Sequence, residues 1–130
     1  MIVVDTNIIA YLLTPDPFQT SALALYAEDP EWVAPPLWRS EFRGVLNSKI
    51  RHEEVTLDQA SALADEAESI LKNPENLPGS RAILELAQAS GCTTYDCEYV
   101  ALALKLGVPL VTMDKQVLKA FPRFAVPLAA

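Results

Sequence analysis

The chain has 130 residues, 51% hydrophobic and 21% charged, a balance that excludes disorder and suits one domain, which at this length buries roughly two thirds of the surface its unfolded chain exposes. No apolar run approaches the ~20 residues that a bilayer requires, and the start of the chain lacks the basic and apolar segments of a secretion signal, so a cytoplasmic protein is expected. Ten basic against 17 acidic residues give a net charge of -7, which argues against nucleic-acid binding over a broad basic face.

MIVVD at the start is a short, β-branched apolar run that reads as a buried parallel strand ending at Asp5. Ile8, Ile9, Leu12 and Leu13 then repeat at helical spacing, and Pro15 and Pro17 separate that helix from one carrying Phe18, Ala22, Leu25 and Tyr26. WVAPP is an extended lead into a helix that opens at Pro35 and Pro36 and runs to about Arg51. From near Thr56 a second long helix places Leu57, Ala60, Leu63, Ala64, Ala67, Ile70 and Leu71 on one stripe. NPENLPG, at 73–79, is a loop within the domain. A helix from Ser80 to Ser90 stops at Gly91, the run CTT follows as a further short strand, and a helix from about Asp96 to Leu106 stops at Gly107. LVTM is another buried strand, Asp114 to Phe121 a short helix, and FAVPL a last edge strand. Strands alternating with helices predict an α/β fold in three layers, a mainly parallel sheet with helices on both faces. Cys92 and Cys97 are too few for a disulfide framework, lack zinc-binding spacing, and are expected in the core.

In open parallel sheets the ligand site lies beyond the carboxyl ends of the strands, so the acids that follow strand runs carry the interest. Asp5 follows MIVV, Asp96 follows CTT by one residue, and Asp114 follows LVTM. Each also suits a helix start: Asp5 and Asp114 as caps, Asp96 as the acidic member of a capping box with Thr93. At one sheet edge, however, three uncompensated carboxylates repel one another and call for a cation between them.

Glu41 strengthens that reading. Its helical neighbours are Leu37, Trp38 and Val45, so it lies in an apolar arc, where an ionised carboxylate needs a partner or a metal. Arg39 and Arg43 stand roughly 160° around the same helix, which leaves a metal or a residue from elsewhere. Carboxylates without His or Cys suit Mg²⁺ or Mn²⁺, and two such ions about 4 Å apart serve phosphodiester hydrolysis. They would also cancel much of the acidity that speaks against RNA. Thr6, Asn7 and Thr112 are placed to hold the carboxylates of Asp5 and Asp114 by hydrogen bonds. Arg39, Arg43 and Lys115 are the cations available for RNA, each equally readable as an ordinary surface charge. His52 has no metal spacing and receives no role, and Trp38 belongs to an apolar stripe rather than to a base-stacking surface.

VVDTNIIAYLL, LWRSEFRGVL and TTYDCEYVALALKLGVPLVTMD, spread over nearly the whole chain, resemble the PIN-domain family, and within it the stand-alone VapC-like toxins of toxin-antitoxin pairs. The resemblance implies a metal-dependent endoribonuclease, with Asp5, Glu41, Asp96 and Asp114 as the acidic quartet and Thr112 in a Thr-x-Asp element. It also implies a homodimer and a small antitoxin partner. Two features depart from the family: Cys97 and Glu98 follow Asp96 where small or apolar residues are usual, and the basic rim is sparse. Glu98 lies about 200° around the helix from Asp96 and reads as a surface residue.

Other classes fit less well. A phosphoacceptor receiver domain needs an acid after a mid-chain strand, and its candidate, Asp58, starts a helix. A haloacid-dehalogenase-like phosphatase needs Asp-x-Asp after the first strand, where Asn7 stands. The four isolated glycines exclude a nucleotide-binding loop. A PIN fold that only binds, without catalysis, is disfavoured by the complete quartet.

Overall fold

A computed structural model describes residues 1–129. Four strands, β1 (Ile2–Val4), β2 (Trp32–Val33), β3 (Leu110–Val111) and β4 (Ala125–Val126), form one sheet in the order β2-β1-β3-β4, every neighbouring pair parallel. Val3 pairs with Val33 on one side and Leu110 on the other, which puts the first strand at the centre. Successive strand residues point to opposite faces, so full burial of both Val3 and Val4 means that helices cover the sheet on both sides.

Among the described residues seven helices follow the expected punctuation: α1 (Thr6–Leu13), α2 (Gln19–Glu28), α3 (Leu37–Arg51), α4 (Leu57–Ile70), α5 (Ser80–Ser90), α6 (Thr94–Leu106) and α7 (Lys115–Ala120). Helix α4 opens on a capping box in which Thr56 accepts from the Gln59 amide while the Gln59 side chain accepts from the Thr56 amide. Gly91 and Gly107 close α5 and α6 in the left-handed region, at φ of 75° and 68°, where a Cβ would be strained. Helix α1 packs on α2 and α3, α3 on α4, α5 on α6, and α6 on the central strand.

The core gathers Trp32, Phe42, Ile8, Ile9, Leu102 and Leu110, each contributing about 1.5–3 kcal/mol by leaving water. Tyr26 meets Trp32 edge-on at 5.3 Å. Cys92 and Cys97 are buried thiols, and Trp38 is buried against Phe42. Among the described residues no helix is long and apolar enough to cross a membrane.

Two expected elements differ. CTT is no strand: the Thr93 hydroxyl accepts from the Asp96 amide and caps α6, which therefore begins at Thr94. Leu57, read as part of the apolar stripe of α4, is 72% exposed, whereas Ala60 and Ala67 of that stripe are buried.

Candidate active site

Backbone order sets two acids at the sheet's carboxyl edge. Asp5 follows β1, its amide bonded to Val111 O at 3.0 Å, and Asp114 stands three residues beyond β3. Helix α3 brings Glu41 to the same place, and Asp96 arrives on the first turn of α6 rather than at a strand end. All four line one open groove of about 860 Å³, together with Thr6, Asn7, Gly44, Val45, Ser48, Lys49, His52 and Glu54.

Capping a helix and lining the groove coexist in two of these acids. Asp5 caps α1 by accepting from the Thr6 amide at 2.8 Å, and Asp114 caps α7 by accepting from the amides of Gln116 and Val117 through the same Oδ1. The N-termini of α1 and α7 thus meet groove carboxylates with their partial positive charge, which offsets part of the repulsion among the acids.

Neighbouring hydroxyls fix the rest. Thr112, fully buried, donates to Asp5 Oδ2 at 2.7 Å and accepts from the Asp114 amide at 3.0 Å, so one side chain ties two acids together. Thr6 joins another pair, giving its amide to Asp5 while its hydroxyl lies 3.1 Å from Glu41 Oε1. Tyr99 donates to the same Oε1 at 2.5 Å. The partner that the apolar arc around Glu41 demands from elsewhere is therefore a neutral hydroxyl, that of Tyr99, with the Thr6 hydroxyl beside it. Asn7, expected to hold a carboxylate, instead buries its Oδ1 with no donor in reach.

Electrostatics follow from this crowding. Burial, partly countered by the bonds from Thr112 and Thr6 and reinforced by the charges of Glu41 and Asp96, lifts the Asp5 carboxyl from 3.8 to about 6. Asp96 is raised too, by burial and then by Asp114 and Glu41, against the lowering effect of Thr93. The Tyr99 hydroxyl is pushed well above the usual phenol range by burial first and its bond to Glu41 next, which keeps it a donor.

The donor set fits a hard divalent cation. Every acid presents oxygen, and among the described residues Glu41 Oε2 and Asp114 Oδ2 have no hydrogen-bond partner. The orphaned Asn7 oxygen suits a donor from outside the chain, such as water in a cation's hydration shell. Among the described residues no three Asp, Glu, His or Cys side chains converge on one point as a ready-made cage. An open groove of that kind matches Mg²⁺ or Mn²⁺, which keep several waters, better than Ca²⁺ or Zn²⁺.

The expected cations are not those that line the groove. Arg39 points toward α4, 3.4 Å from Glu68 and 3.3 Å from Asn73, and lies over the Trp38 ring. Arg43 and Lys115 are exposed and absent from the groove's lining. Lys49 and His52 line it instead, Lys49 paired with Glu54 at 3.5 Å and the His52 Nδ1 2.8 Å from the Ser48 carbonyl. Val45, Ser48 and His52 stand four, seven and 11 residues after Glu41, so the helical period alone aligns them on its face. Glu98 is half-buried, raised by burial and then by Glu41, and does not line the groove.

Comparison with known proteins completes the description. The family profile described as PIN domain matches residues 2–125. Ribonuclease VapC3 of Pyrobaculum aerophilum is 30% identical over 138 residues, which span 97% of this chain and 98% of the relative. In structure the chain resembles PAE2754 from Pyrobaculum aerophilum, with a TM-score of 0.76 and 23% identity over 97% of this chain and 89% of that one. It also resembles a chain of a toxin-antitoxin complex from Klebsiella pneumoniae, with a TM-score of 0.70 and 20% identity over 97% and 96%.

Proposed function

The chain belongs to the PIN-domain family, and from that premise we propose that it is a metal-dependent endoribonuclease, the toxin of a toxin-antitoxin pair, with Asp5, Glu41, Asp96 and Asp114 as its catalytic acids. The observation that carries the reading is that four elements deliver four carboxylates to one groove, with hydroxyls and amides steering them. These acids would hold Mg²⁺ or Mn²⁺, which when bound supplies charge neutralisation and water activation for phosphodiester hydrolysis. Thr6, Thr112 and the helix N-termini keep the acids in place before substrate arrives. Lys49 supplies local positive charge for an RNA backbone, beside the His52 ring, in the role expected of Arg39, Arg43 and Lys115. The similarity to a protein named ribonuclease favours RNA over DNA, and the toxin-antitoxin neighbour favours a small antitoxin as partner. We further propose that the chain acts as one domain in the cytoplasm and pairs as a homodimer, as its family resemblance implies.

Purified protein incubated with labelled RNA and DNA, with Mg²⁺ or Mn²⁺ and with EDTA, tests this beside Asp5→Ala and Glu41→Ala. Cleavage of RNA that EDTA and either substitution abolish is the expected result. Cleavage that survives both overturns the carboxylate mechanism, and cation binding without cleavage of any RNA supports the binding-only scaffold instead.

A further inference from the structure

Tyr99 is 2% exposed and belongs to no part of the acidic quartet, yet its hydroxyl reaches Glu41 Oε1 at 2.5 Å and Thr6 Oγ1 at 2.7 Å, while Thr6 Oγ1 lies 3.1 Å from the same Glu41 oxygen. Three oxygens thus make three contacts. An ionised carboxylate only accepts, and two hydroxyls carry two protons, so only two contacts can be full hydrogen bonds at once. The two shortest use them in a chain: Thr6 donates to Tyr99, and Tyr99 donates to Glu41. A hydroxyl that accepts one hydrogen bond is a stronger donor in the next, and burial spares the relay competition from water.

We propose that Tyr99 is a positioning residue: backed by Thr6, it pins Oε1 of Glu41 and leaves Oε2 as the oxygen offered to a divalent cation in the groove. Asp96 lies three residues before it on α6, so one helix both presents an acid and steers another on α3. The apolar arc around Glu41 makes such steering necessary, since among the described residues no basic side chain meets that carboxylate and its own helix offers it no hydrogen-bond donor. The inference rests on the proposed metal-dependent reading of the groove.

The test measures Mn²⁺ affinity calorimetrically in the full chain, without substrate, for wild type, Tyr99→Phe, Glu41→Gln and the double variant, with melting temperature in EDTA as a check on folding. Phenylalanine keeps the ring and removes only the hydroxyl. Tyr99→Phe is expected to weaken Mn²⁺ binding about 10-fold or more, the usual effect of losing a group that holds a ligand. The same substitution is expected to change little in the Glu41→Gln background, because its effect passes through that carboxylate. Unchanged affinity in Tyr99→Phe, or a loss of equal size in both backgrounds, overturns the positioning role while leaving the nuclease reading intact. A wild type that binds no Mn²⁺ overturns both.

Discussion

Replacing Asp5 by asparagine should destroy the activity and strengthen the metal-free fold. Burial, with Glu41 and Asp96 nearby, raises this carboxyl from 3.8 to about 6, so the folded protein holds a proton that the unfolded chain has released. At 1.36 kcal/mol per unit, ionising Asp5 in the folded state costs about 3 kcal/mol at pH 8. Asparagine removes that cost but accepts less well from Thr112, a loss of about 1 kcal/mol, leaving a net gain of about 2 kcal/mol. For a chain of this size that corresponds to roughly 7 °C in melting temperature. The sign fixes the pH window: a raised acid stabilises the folded state fully below 3.8 and loses that contribution as pH rises through about 6. The advantage of Asp5→Asn over wild type should therefore be full at pH 8, shrink through pH 6 and disappear near pH 4. Thermal melts of both proteins in EDTA across that range measure it, and added Mn²⁺ should stabilise wild type alone. An advantage independent of pH, or none at pH 8, would refute the claim that the groove keeps Asp5 charged at the expense of the fold.

Thr112→Val keeps the volume but strips the hydroxyl that joins Asp5 to the Asp114 amide, and should cost about 1–3 kcal/mol in urea denaturation with a 10–100-fold loss of cleavage rate. Gly91→Ala meets no atom within 4 Å yet must hold a φ of 75°, so it should cost about 1 kcal/mol of stability and leave cleavage untouched; a larger loss would mean that the C-terminus of α5 carries more than a cap. Lys49→Ala together with His52→Ala should raise KM several-fold at low salt with kcat nearly unchanged, and added salt should then raise KM more for wild type than for the variant. The same double change at Arg39 and Arg43 should leave KM alone.

Much of this was legible from local pattern. MIVV and LVTM had to be central strands because consecutive apolar residues need both faces covered, and that placed Asp5 and Asp114 at one edge. Glu41 stood out because it broke an apolar arc. What failed depended on neighbours that spacing does not reveal. CTT looked extended, but Thr93 is a cap, and Asp96 reaches the groove from a helix turn. Arg39 and Lys49 sit on one helix, and only the position of α4 decides that the first is occupied by Glu68 and the second lies in the groove. Tyr99 carried no signal in the sequence, because its hydroxyl meets Glu41 from a distance of 58 residues.

Asp114 spends one oxygen on the amides of Gln116 and Val117, and so starts the helix that precedes β4. The four acids are therefore unequal under mutational drift. A lineage released from selection for cleavage can exchange Asp5 for asparagine, which still caps α1, with a gain in stability, whereas loss of the Asp114 cap frays α7 and loosens the sheet's last edge. Degenerate copies of this fold that survive as folded proteins should keep an acid or a cap-forming asparagine at 114 long after position 5 has changed.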